Sequence, residues 1–558
     1  MRAFLRTRGA AALLLVLALL ALAACGGGSG TGGGDSGSQD GSSAGPAPAP
    51  GSGEEKGGTL VIGRTGGVDS LDPARTIAGP AHEVFRLIFD TLVRRSPGGG
   101  FEGDLAERWE VSDDGLAWTF YLRQDRVVSS GNPVNADAVV FSFQRMMSPE
   151  VPAAAFLGPV QAVEKVDDHT VRFILAEPFA LLLDILSTEY FGIVDPAAVE
   201  EYGDDFGRKP VGSGPFVLKE WVTGERIVLE PNPLYRTSRS DVENQGPPHL
   251  DQLIFREIPQ VETQLAGLRS GEINMITGLP AEQAVLFEND PNFRVLRGLG
   301  GISIAYLSFG MVPAEDGGVN TFKPPFDDIR VRQAVAHAVD MDTIVDTVLY
   351  GYATRNKTPL PTGVFGYDPS LGSLVPDYDP EAAARLLDEA GWTMGPGGVR
   401  QKDGRPLAIN FWSLNMGSAP QMAQIIQNQL EQVGFDVEIT LLDVATYVSQ
   451  APTGDLDLEM LDQGWPAPNI LNSIVGLGWG VGLYNNPDLL DLLARAQSEA
   501  DDARRAALYR QAQEVLLKDL ALMPMYTATV PLVTRAEVQG IKFDALGGPL
   551  FHDAYVAP

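Results

Sequence analysis

Apolar and polar positions alternate with two different periods along the body of the chain, and these periods predict a succession of short strands and helices. Runs rich in β-branched and aromatic residues, closed by glycine, proline or polar residues, predict strands at residues 58–63, 118–122, 170–175, 226–230, 407–411 and 436–442. Apolar residues at helical spacing predict helices at residues 80–94, 379–391, 421–433 and 501–520, and another that begins at 486. Helices that alternate with strands indicate α/β layers with a substantial parallel sheet.

The start of the chain has a different pattern, which predicts export and anchoring. Arg2, Arg6 and Arg8 precede an apolar run at residues 10–24, too short to span a membrane comfortably but typical of a secretory signal. Cys25 follows this run and is the only cysteine. The junction resembles a bacterial lipobox, in which the cysteine thiol receives a diacylglyceryl group. The alternative is ordinary secretion, with Cys25 incidental.

Residues 25–57 consist mostly of Gly, Ser, Pro, Ala and Asp, a composition that predicts a flexible tether. No later stretch approaches eighteen consecutive apolar residues, so we expect no further membrane-spanning segment. Signal, lipid, tether and a body of about 500 residues together predict a protein held by its N-terminal lipid on the extracytoplasmic face of the cell membrane.

Composition narrows the range of partners. The formal net charge is −31, which repels nucleic acid phosphates, so we expect no nucleic acid partner. Two interpretations of this charge stay open, namely solubility in a salt-tolerant organism and steering of cationic ligands. With Cys25 lipidated, no cysteine remains for a disulfide, so stability has to come from the size of the core.

The chemistry-bearing residues argue against an enzyme. None of the five histidines has His-Glu-x-x-His spacing, and one lipidated cysteine excludes thiolate zinc sites, so we expect neither metal nor cofactor. No Gly-Lys pair occurs, which excludes a Walker A loop and ATP hydrolysis by this chain. The body has no Gly-x-Ser-x-Gly motif. A glycosidase that uses two carboxylates stays open, because 72 acidic residues offer many pairs.

Six local strings in order resemble family 5 solute-binding proteins, the extracytoplasmic receptors of peptide and nickel ABC importers. They are GGTL at 57–60 with SLDPA at 70–74, DLAERWEVSDDG at 104–115, PVGSGPF at 210–216, LRSGEI at 268–273, PFDDIRVRQA at 325–334 and YDPEAA at 378–383. In the third string, Gly212 and Gly214 look like positions for tight backbone turns. Each string alone is weak evidence, whereas six in order are strong evidence.

The resemblance implies a two-lobed, periplasmic-binding-protein-like (cluster C) α/β fold with an extra subdomain inserted in lobe I. The expected divisions are a lipoprotein signal at 1–24, a tether at 25–57, lobe I at 58–85, 207–305 and 522–558, the inserted subdomain at 86–206, and lobe II at 306–521. The resemblance also implies that the protein is a monomer and that its ligand is enclosed between the two lobes. The loaded protein would then dock on permease subunits driven by a separate ATPase.

One loop departs from the family pattern. Peptide-binding relatives often carry Asp-aromatic-Pro-Asp-Pro in lobe II, and the first aspartate pairs with the peptide α-ammonium. The corresponding stretch here reads DQGWPAPN at residues 462–469, which puts Gly464 and Ala467 at the two aspartate positions. Asp462 is a possible substitute. Loss of a charge-assisted hydrogen bond, about 1.5–3 kcal/mol, bears directly on recognition of a free N-terminus.

Aromatic and amide side chains supply the other candidates for ligand binding. Trp465 carries over as the aromatic residue of the loop, and Trp412 with Asn415 follows the strand predicted at 407–411, at an end where open α/β sheets place ligands. Trp479 lies in a glycine-rich stretch, and Tyr306 falls where a crossing strand should pass the cleft. Indole rings offer flat apolar area with one donor, suited to peptide side chains, sugar faces and cations.

We therefore expect a membrane-anchored substrate-binding component of an ABC importer that captures peptides by lobe closure. Within the same role, the alternatives are oligosaccharides and modified or N-blocked peptides. Outside it, they are a surface receptor for signalling or adhesion without transport, and a hydrolase.

Overall fold

A computed structural model describes residues 56–558 except residues 98, 299–301, 453–454, 477 and 479. The predictions for the signal, for Cys25, for nearly all of the tether and for Trp479 lie outside these residues. In the part of the chain that the structure describes, no helix combines the length and apolar character that crossing a bilayer requires.

Lobe I is built on a seven-stranded mixed sheet. Its strands lie in the order Phe293–Arg297, Pro531–Arg535, Met275–Thr277, Thr59–Arg64, Gln252–Glu257, Arg226–Pro231 and Phe216–Val222. The strand Thr59–Arg64 pairs in parallel with both of its neighbours. Helices and loops cover both faces of this sheet, and each face has its own apolar cluster. The helices are Gly79–Ile88, Val261–Ser270 and Ala281–Ala284.

The inserted subdomain is an antiparallel sheet of four strands with helices packed against it. The strands lie in the order Ala106–Val111, Ala117–Leu122, Thr170–Leu175 and Val160–Asp167. Its helices are Ala136–Met146, Leu182–Leu186 and Pro196–Tyr202, and a hairpin of Val93–Arg95 with Phe101–Gly103 precedes the sheet. Phe143 packs edge-on against Phe173 with 4.8 Å between ring centroids, which fixes the first helix on the sheet.

Lobe II has a six-stranded mixed sheet covered by helices. The strands lie in the order Ala353–Arg355, Leu522–Ala528, Ser303–Phe309, Leu458–Gly464, Ala408–Leu414 and Asp436–Leu442. The helices are Ile329–Ala338, Met341–Val348, Pro380–Glu389, Ala419–Gln432, Val444–Gln450, Ile470–Ile474, Pro487–Ser498 and Asp502–Lys518.

Short elements complete the structure. The remaining strands are Met311–Val312 with Thr321–Phe322, the three strands Thr393–Met394, Arg400–Lys402 and Arg405–Pro406, Val538–Gln539 with Tyr555–Val556, and Lys542–Phe543 with Pro549–Leu550. Short segments of 3-10 helix occur at Pro152–Phe156, Glu189–Phe191, Gly203–Arg208, Val285–Phe287, Pro369–Leu374, Pro396–Gly398 and Gly480–Leu483.

The chain passes between the two large sheets twice, and both crossings differ from the predicted boundaries. The first lies between Arg297 and Ser303, and the second lies between Ala528 and Pro531. The strands Ser303–Phe309 and Leu522–Ala528 pair with each other inside the lobe II sheet, so residues 303–305 and 522–528 belong to lobe II. Both strands are apolar and buried, and a buried apolar run does not reveal which sheet it joins. The predicted boundary at 85/86 also divides the helix Gly79–Ile88.

Helix starts follow the predicted capping, whereas two element ends differ. The side chain of Asp379 accepts a hydrogen bond from the Ala382 main-chain N at 2.8 Å, as a helix N-cap does. The helix predicted at residues 80–94 ends at Ile88, because Phe89 is already extended. The strand predicted to end at residue 411 continues to Leu414, so Trp412 lies within it.

Gly212 and Gly214 are required for close packing, and Gly214 also lies in a bend of the backbone. Neither has a positive φ. A Cβ atom on Gly212 would lie 2.3 Å from the Ile88 carbonyl oxygen, and one on Gly214 would lie 2.5 Å from the Ile88 carbonyl carbon. The Gly214 main-chain N donates to the Ile88 oxygen at 2.8 Å, so the end of the helix Gly79–Ile88 rests directly on this backbone.

We expect Gly214→Ala to lower the free energy of unfolding by about 1–3 kcal/mol, because backbone atoms cannot move aside as a flexible side chain can. Urea unfolding measures this change. Gly246→Ala is the matched control, since its added Cβ meets nothing closer than 3.7 Å and the expected change is within about 0.5 kcal/mol. Equal effects of the two substitutions would contradict the packing argument.

Candidate functional site

A cavity of about 380 Å³ lies where the inserted subdomain meets lobe II. The inserted subdomain lines it with residues from the segments 155–159 and 177–185, and lobe II lines it with residues from the segments 463–473 and 494–498. This volume is within the range of pockets that enclose small ligands.

The two walls of the cavity touch each other around it. The Phe156 ring of the inserted subdomain lies 5.6 Å from the Trp465 ring of lobe II, measured between centroids. The Ala180 main-chain N donates to the Gln497 carbonyl oxygen at 2.8 Å, which joins the same two units through the backbone. One apolar core runs through both units. The structure therefore describes a closed arrangement around the cavity.

Trp465 lines the cavity, as a ligand-contacting aromatic residue would. It follows the strand Leu458–Gly464, and its main-chain N donates to the Ile302 carbonyl oxygen at 3.0 Å. The indole Nε1 donates to Asn469 Oδ1 at 2.8 Å, so the ring is held in place without a ligand. Only 8% of the residue is exposed, which is typical of a preorganised pocket wall.

Gln463 also lines the cavity, and sequence reasoning missed it. It is 2% exposed, and its Nε2 donates to the Tyr306 hydroxyl at 2.6 Å. Its Oε1 is buried and has no hydrogen-bond partner among the described residues. The available signal was the period of the strand, since Gln463 and Asp462 point to opposite faces. Tyr306 is fully buried behind Gln463, and the structure places it outside the lining.

Asp462 does not reach the cavity. It stands opposite Ala305 in the sheet and faces away from Gln463, and it is not among the lining residues. Burial raises the pKa of Asp462 to about 6, although a hydrogen bond with the Ser303 side chain opposes the shift. Gly464 does line the cavity, and a Cβ atom there would meet nothing closer than 3.6 Å. Position 464, where the family resemblance puts an aspartate, therefore lacks a side chain, and a Cβ atom would fit there.

The structure places Trp412 and Asn415 outside the lining. Trp412 is 5% exposed and packs edge-on against Tyr447, with 6.0 Å between ring centroids. Its Nε1 is buried and has no hydrogen-bond partner in the described part of the chain. Asn415 is exposed just after the strand Ala408–Leu414, and its main-chain N donates to the Leu442 oxygen at 2.8 Å. Of the described candidates, only Trp465 lines the cavity.

Glu459 lies on the same face of the sheet as Gln463 and is fully buried. It accepts hydrogen bonds from the Ser308 hydroxyl, from the Tyr447 hydroxyl at 2.8 Å and from the Val481 backbone. Burial outweighs these hydrogen bonds and raises the pKa of Glu459 to about 7. A Cβ on Gly480 would overlap the carboxylate, so this glycine lets the segment 480–483 close over it.

The cavity has almost no charge. Its single ionisable lining residue is Glu177, which is exposed, and no Lys, Arg or His lines it in the described part of the chain. Across the described residues, no group of three or more His, Cys, Asp or Glu side chains is arranged to hold a metal ion. Aromatic faces and uncharged amides suit this cavity to noncovalent binding of a neutral solute.

Two lobes with a ligand-sized cavity at their junction define the class of solute-binding proteins that close on their ligand. The family model described as Bacterial extracellular solute-binding proteins, family 5 Middle matches residues 100–477, more than half of the chain. The chain belongs to this family. It is therefore an extracytoplasmic solute-binding protein of the kind that serves ABC importers, and not an enzyme.

Known proteins similar to this chain carry different ligands. The probable D,D-dipeptide-binding periplasmic protein DdpA of Escherichia coli (strain K12) is 28% identical over 518 residues, which cover 88% of this chain and 93% of the relative. Heme-binding protein A of Haemophilus influenzae is 29% identical over 498 residues, which cover 82% of this chain and 84% of the relative. The crystal structure of NikA from Brucella suis in complex with Fe(III)-EDTA superposes with a TM-score of 0.77 at 26% identity. The superposition covers 89% of this chain and 99% of the NikA chain.

We expect the stability of the protein to depend on the protonation of Glu459. Between pH 4.5 and about 7 the unfolded carboxyl ionises while the folded one keeps its proton, so the free energy of unfolding falls as pH rises. The difference in the free energy of unfolding between the wild type and Glu459→Gln should fall by up to about 3 kcal/mol across this pH window. Below and above the window, this difference should change little. Urea unfolding at several pH values measures the difference, and a constant difference would contradict the assignment.

Proposed function

We propose that this chain is the substrate-binding component of an ABC importer that captures peptides between its inserted subdomain and lobe II and delivers them to the permease. The observation that carries this proposal is the cavity between the two units, with Trp465 in its wall. Its lining amides and hydroxyls include Gln463, Gln497 and Ser473, which suit the donors and acceptors of a peptide main chain.

Binding proceeds by closure of the two walls. A ligand shifts the balance between open and closed forms only through contacts it makes in the closed form alone. The contacts of Phe156 with Trp465 and of Ala180 with Gln497 already join the walls, and a ligand in the cavity adds contacts to both sides. The closed form is then the form that docks on the permease.

A neutral oligosaccharide is the second candidate for the ligand. The observation that favours it is the combination of the Trp465 ring with uncharged lining amides, since sugar faces pack on indole rings and hydroxyls bond to amides. A comparison of peptide and glycan libraries by calorimetry separates the two candidates. Binding of glycans together with rejection of all peptides would overturn the peptide proposal.

We expect Trp465→Ala to weaken ligand binding at least tenfold, because the ring forms a wall of the cavity and is held there by Asn469. Calorimetry with the best peptide from the library measures this loss. Trp221→Ala is the matched control, since Trp221 lies in the lobe I sheet and stacks under Arg208 at 3.8 Å. Equal loss in both variants would show that the effect is not local to the cavity.

We also propose that a lipid on Cys25 holds the chain on the membrane. A diacylglyceryl group on its thiol supplies two acyl chains, which anchor stably where one chain would not. We expect Cys25→Ala to move the protein from the membrane fraction to the soluble extracellular or periplasmic fraction, while ligand affinity of the body is unchanged. Fractionation followed by immunoblotting measures this, and retention of the variant in the membrane fraction would contradict lipid anchoring.

A further inference from the structure

We propose that Tyr352 is a positioning residue for ligand capture, because it fastens lobe II to lobe I beside the two chain crossings and so keeps the cavity walls on one closing path. This role rests on the proposed closure of the walls and names a residue that guides it. Contacts between the two lobes that lie outside the cavity carry the proposal.

The backbone of Tyr352 lies in lobe II, whereas its ring is buried in the core of lobe I. Tyr352 directly precedes the lobe II strand Ala353–Arg355 and is 2% exposed. The ring belongs to a lobe I apolar cluster with Phe287, Ile276 and Val533, and the other described members of this cluster all come from lobe I. Exposure of a buried aromatic ring to water is unfavourable, so the ring stays in lobe I when the lobes move.

Polar contacts from lobe I hold the same ring and the backbone next to it. The Tyr352 hydroxyl donates to Glu288 Oε1 at 2.8 Å, and the Arg297 guanidinium lies 4.4 Å from the Tyr352 ring centroid. Arg297 also pairs with Glu288 and donates to the Gly351 carbonyl oxygen at 3.1 Å. Glu288 and Arg297 both belong to lobe I, so one ion pair of lobe I holds a ring and a main-chain carbonyl of lobe II. We call Tyr352, Glu288 and Arg297 the Tyr352 anchor.

A sharp turn of the backbone brings Tyr352 to lobe I. Tyr350 and Gly351 have positive φ angles of 50° and 73°. The Tyr352 main-chain N donates to the Leu349 carbonyl oxygen at 2.7 Å, which closes the turn. A positive φ is uncommon for a residue other than glycine, so the contacts around the turn have to hold Tyr350 in it. The Thr529 main-chain N donates to the Tyr352 carbonyl oxygen at 2.8 Å and connects this turn to the second crossing.

The Tyr352 anchor and the cavity lie on opposite sides of the two crossings. Tyr352 leads into the strand Ala353–Arg355 at one edge of the lobe II sheet, and the two strands that carry the crossings come next. The strand Leu458–Gly464, which leads to Trp465 in the cavity wall, follows on their other side. The described residues thus join lobe II to lobe I at three neighbouring places. Two connections alone would allow twisting as well as closing, whereas a third restricts the motion to a hinge.

Loss of the Tyr352 anchor should weaken ligand binding, although none of its three residues lines the cavity. Without the anchor, the open form gains relative orientations of the two lobes. A ligand that closes the cavity has to select one of these orientations, so the fraction of molecules ready to close is smaller. A contact that restricts the open form therefore raises the affinity for the ligand without touching it.

The test measures the distance between the cavity walls without any ligand. Nitroxide labels are placed on Glu164→Cys in the inserted subdomain and on Gln511→Cys in lobe II, both at exposed positions. The parent is the Cys25→Ala chain, which has no other cysteine. We expect Tyr352→Ala to broaden the distance distribution from pulsed electron spin resonance and to extend it to longer distances. An unchanged or narrower distribution would overturn the proposal.

Phe435→Ala is the matched control for Tyr352→Ala. Phe435 is 2% exposed and lies in an apolar cluster whose described members all belong to lobe II, so the variant loses a buried ring within one lobe. We expect it to leave the distance distribution as in the parent. Equal broadening in both variants would show a general loss of packing and would overturn the role of Tyr352.

Arg297→Gln covers the case in which Tyr352→Ala does not fold. The Arg297 side chain is 47% exposed, so the variant should fold, and it loses the contact with the Tyr352 ring and the hydrogen bond to Gly351. We expect a smaller broadening of the same kind. Arg256→Gln is its control, because Arg256 pairs with Glu272 at 2.6 Å within lobe I. In that case, an Arg297→Gln distribution equal to that of Arg256→Gln would overturn the proposal.

Calorimetry gives a second readout, with the tightest-binding member of the peptide and glycan libraries as the probe. We expect Tyr352→Ala to bind this probe about tenfold more weakly than the wild type, and Phe435→Ala to bind it as the wild type does. Equal affinities of Tyr352→Ala and the wild type would overturn the link between the anchor and ligand capture. If no library member binds, the proposed function fails, whereas the label distances still decide whether Tyr352 guides the lobes.

Discussion

The contact between the inserted subdomain and lobe II is the interaction on which the site depends. Phe156 against Trp465 and the backbone hydrogen bond from Ala180 to Gln497 join two units that are far apart in the chain. One apolar core runs through both units, and polar interactions beside such low-dielectric surroundings are stronger than they are in water. Within the described strands, the chain moves from one large sheet to the other twice, so this contact joins the inserted subdomain and lobe II far from the connecting backbone in sequence.

A buried polar layer beneath the cavity positions its wall. Glu459, Tyr447, Tyr306 and Gln463 lie on one face of the lobe II sheet, and hydrogen bonds connect Glu459 to Tyr447 and Tyr306 to Gln463. Buried polar groups are almost always paired, so exceptions close to this layer are informative. The Oε1 of Gln463 and the indole N–H of Trp412, which packs against Tyr447, are both buried and have no hydrogen-bond partner among the described residues.

The chain as a whole is strongly negative, whereas the cavity is almost uncharged. The chain carries a formal net charge of −31, yet among the residues that the structure describes a single exposed carboxylate, that of Glu177, lines the cavity. A negative surface disfavours the approach of anions, and a cavity without cations offers them no compensation. Both features act against anionic solutes, and the neutral wall around Gln463 and Trp465 is what remains for recognition.

The sequence by itself determined the local elements and the family. The cap at Asp379, the strand at Thr170–Leu175 and the six ordered strings depend on neighbours along the chain, so a single sequence is enough to identify them. Only the tertiary structure decided which sheet the crossing strands join, why Gly214 must lack a side chain, and that Gln463 lines the cavity whereas Asp462 does not. These outcomes depend on contacts between segments that are more than a hundred residues apart, and no local pattern encodes which distant surface a side chain will meet.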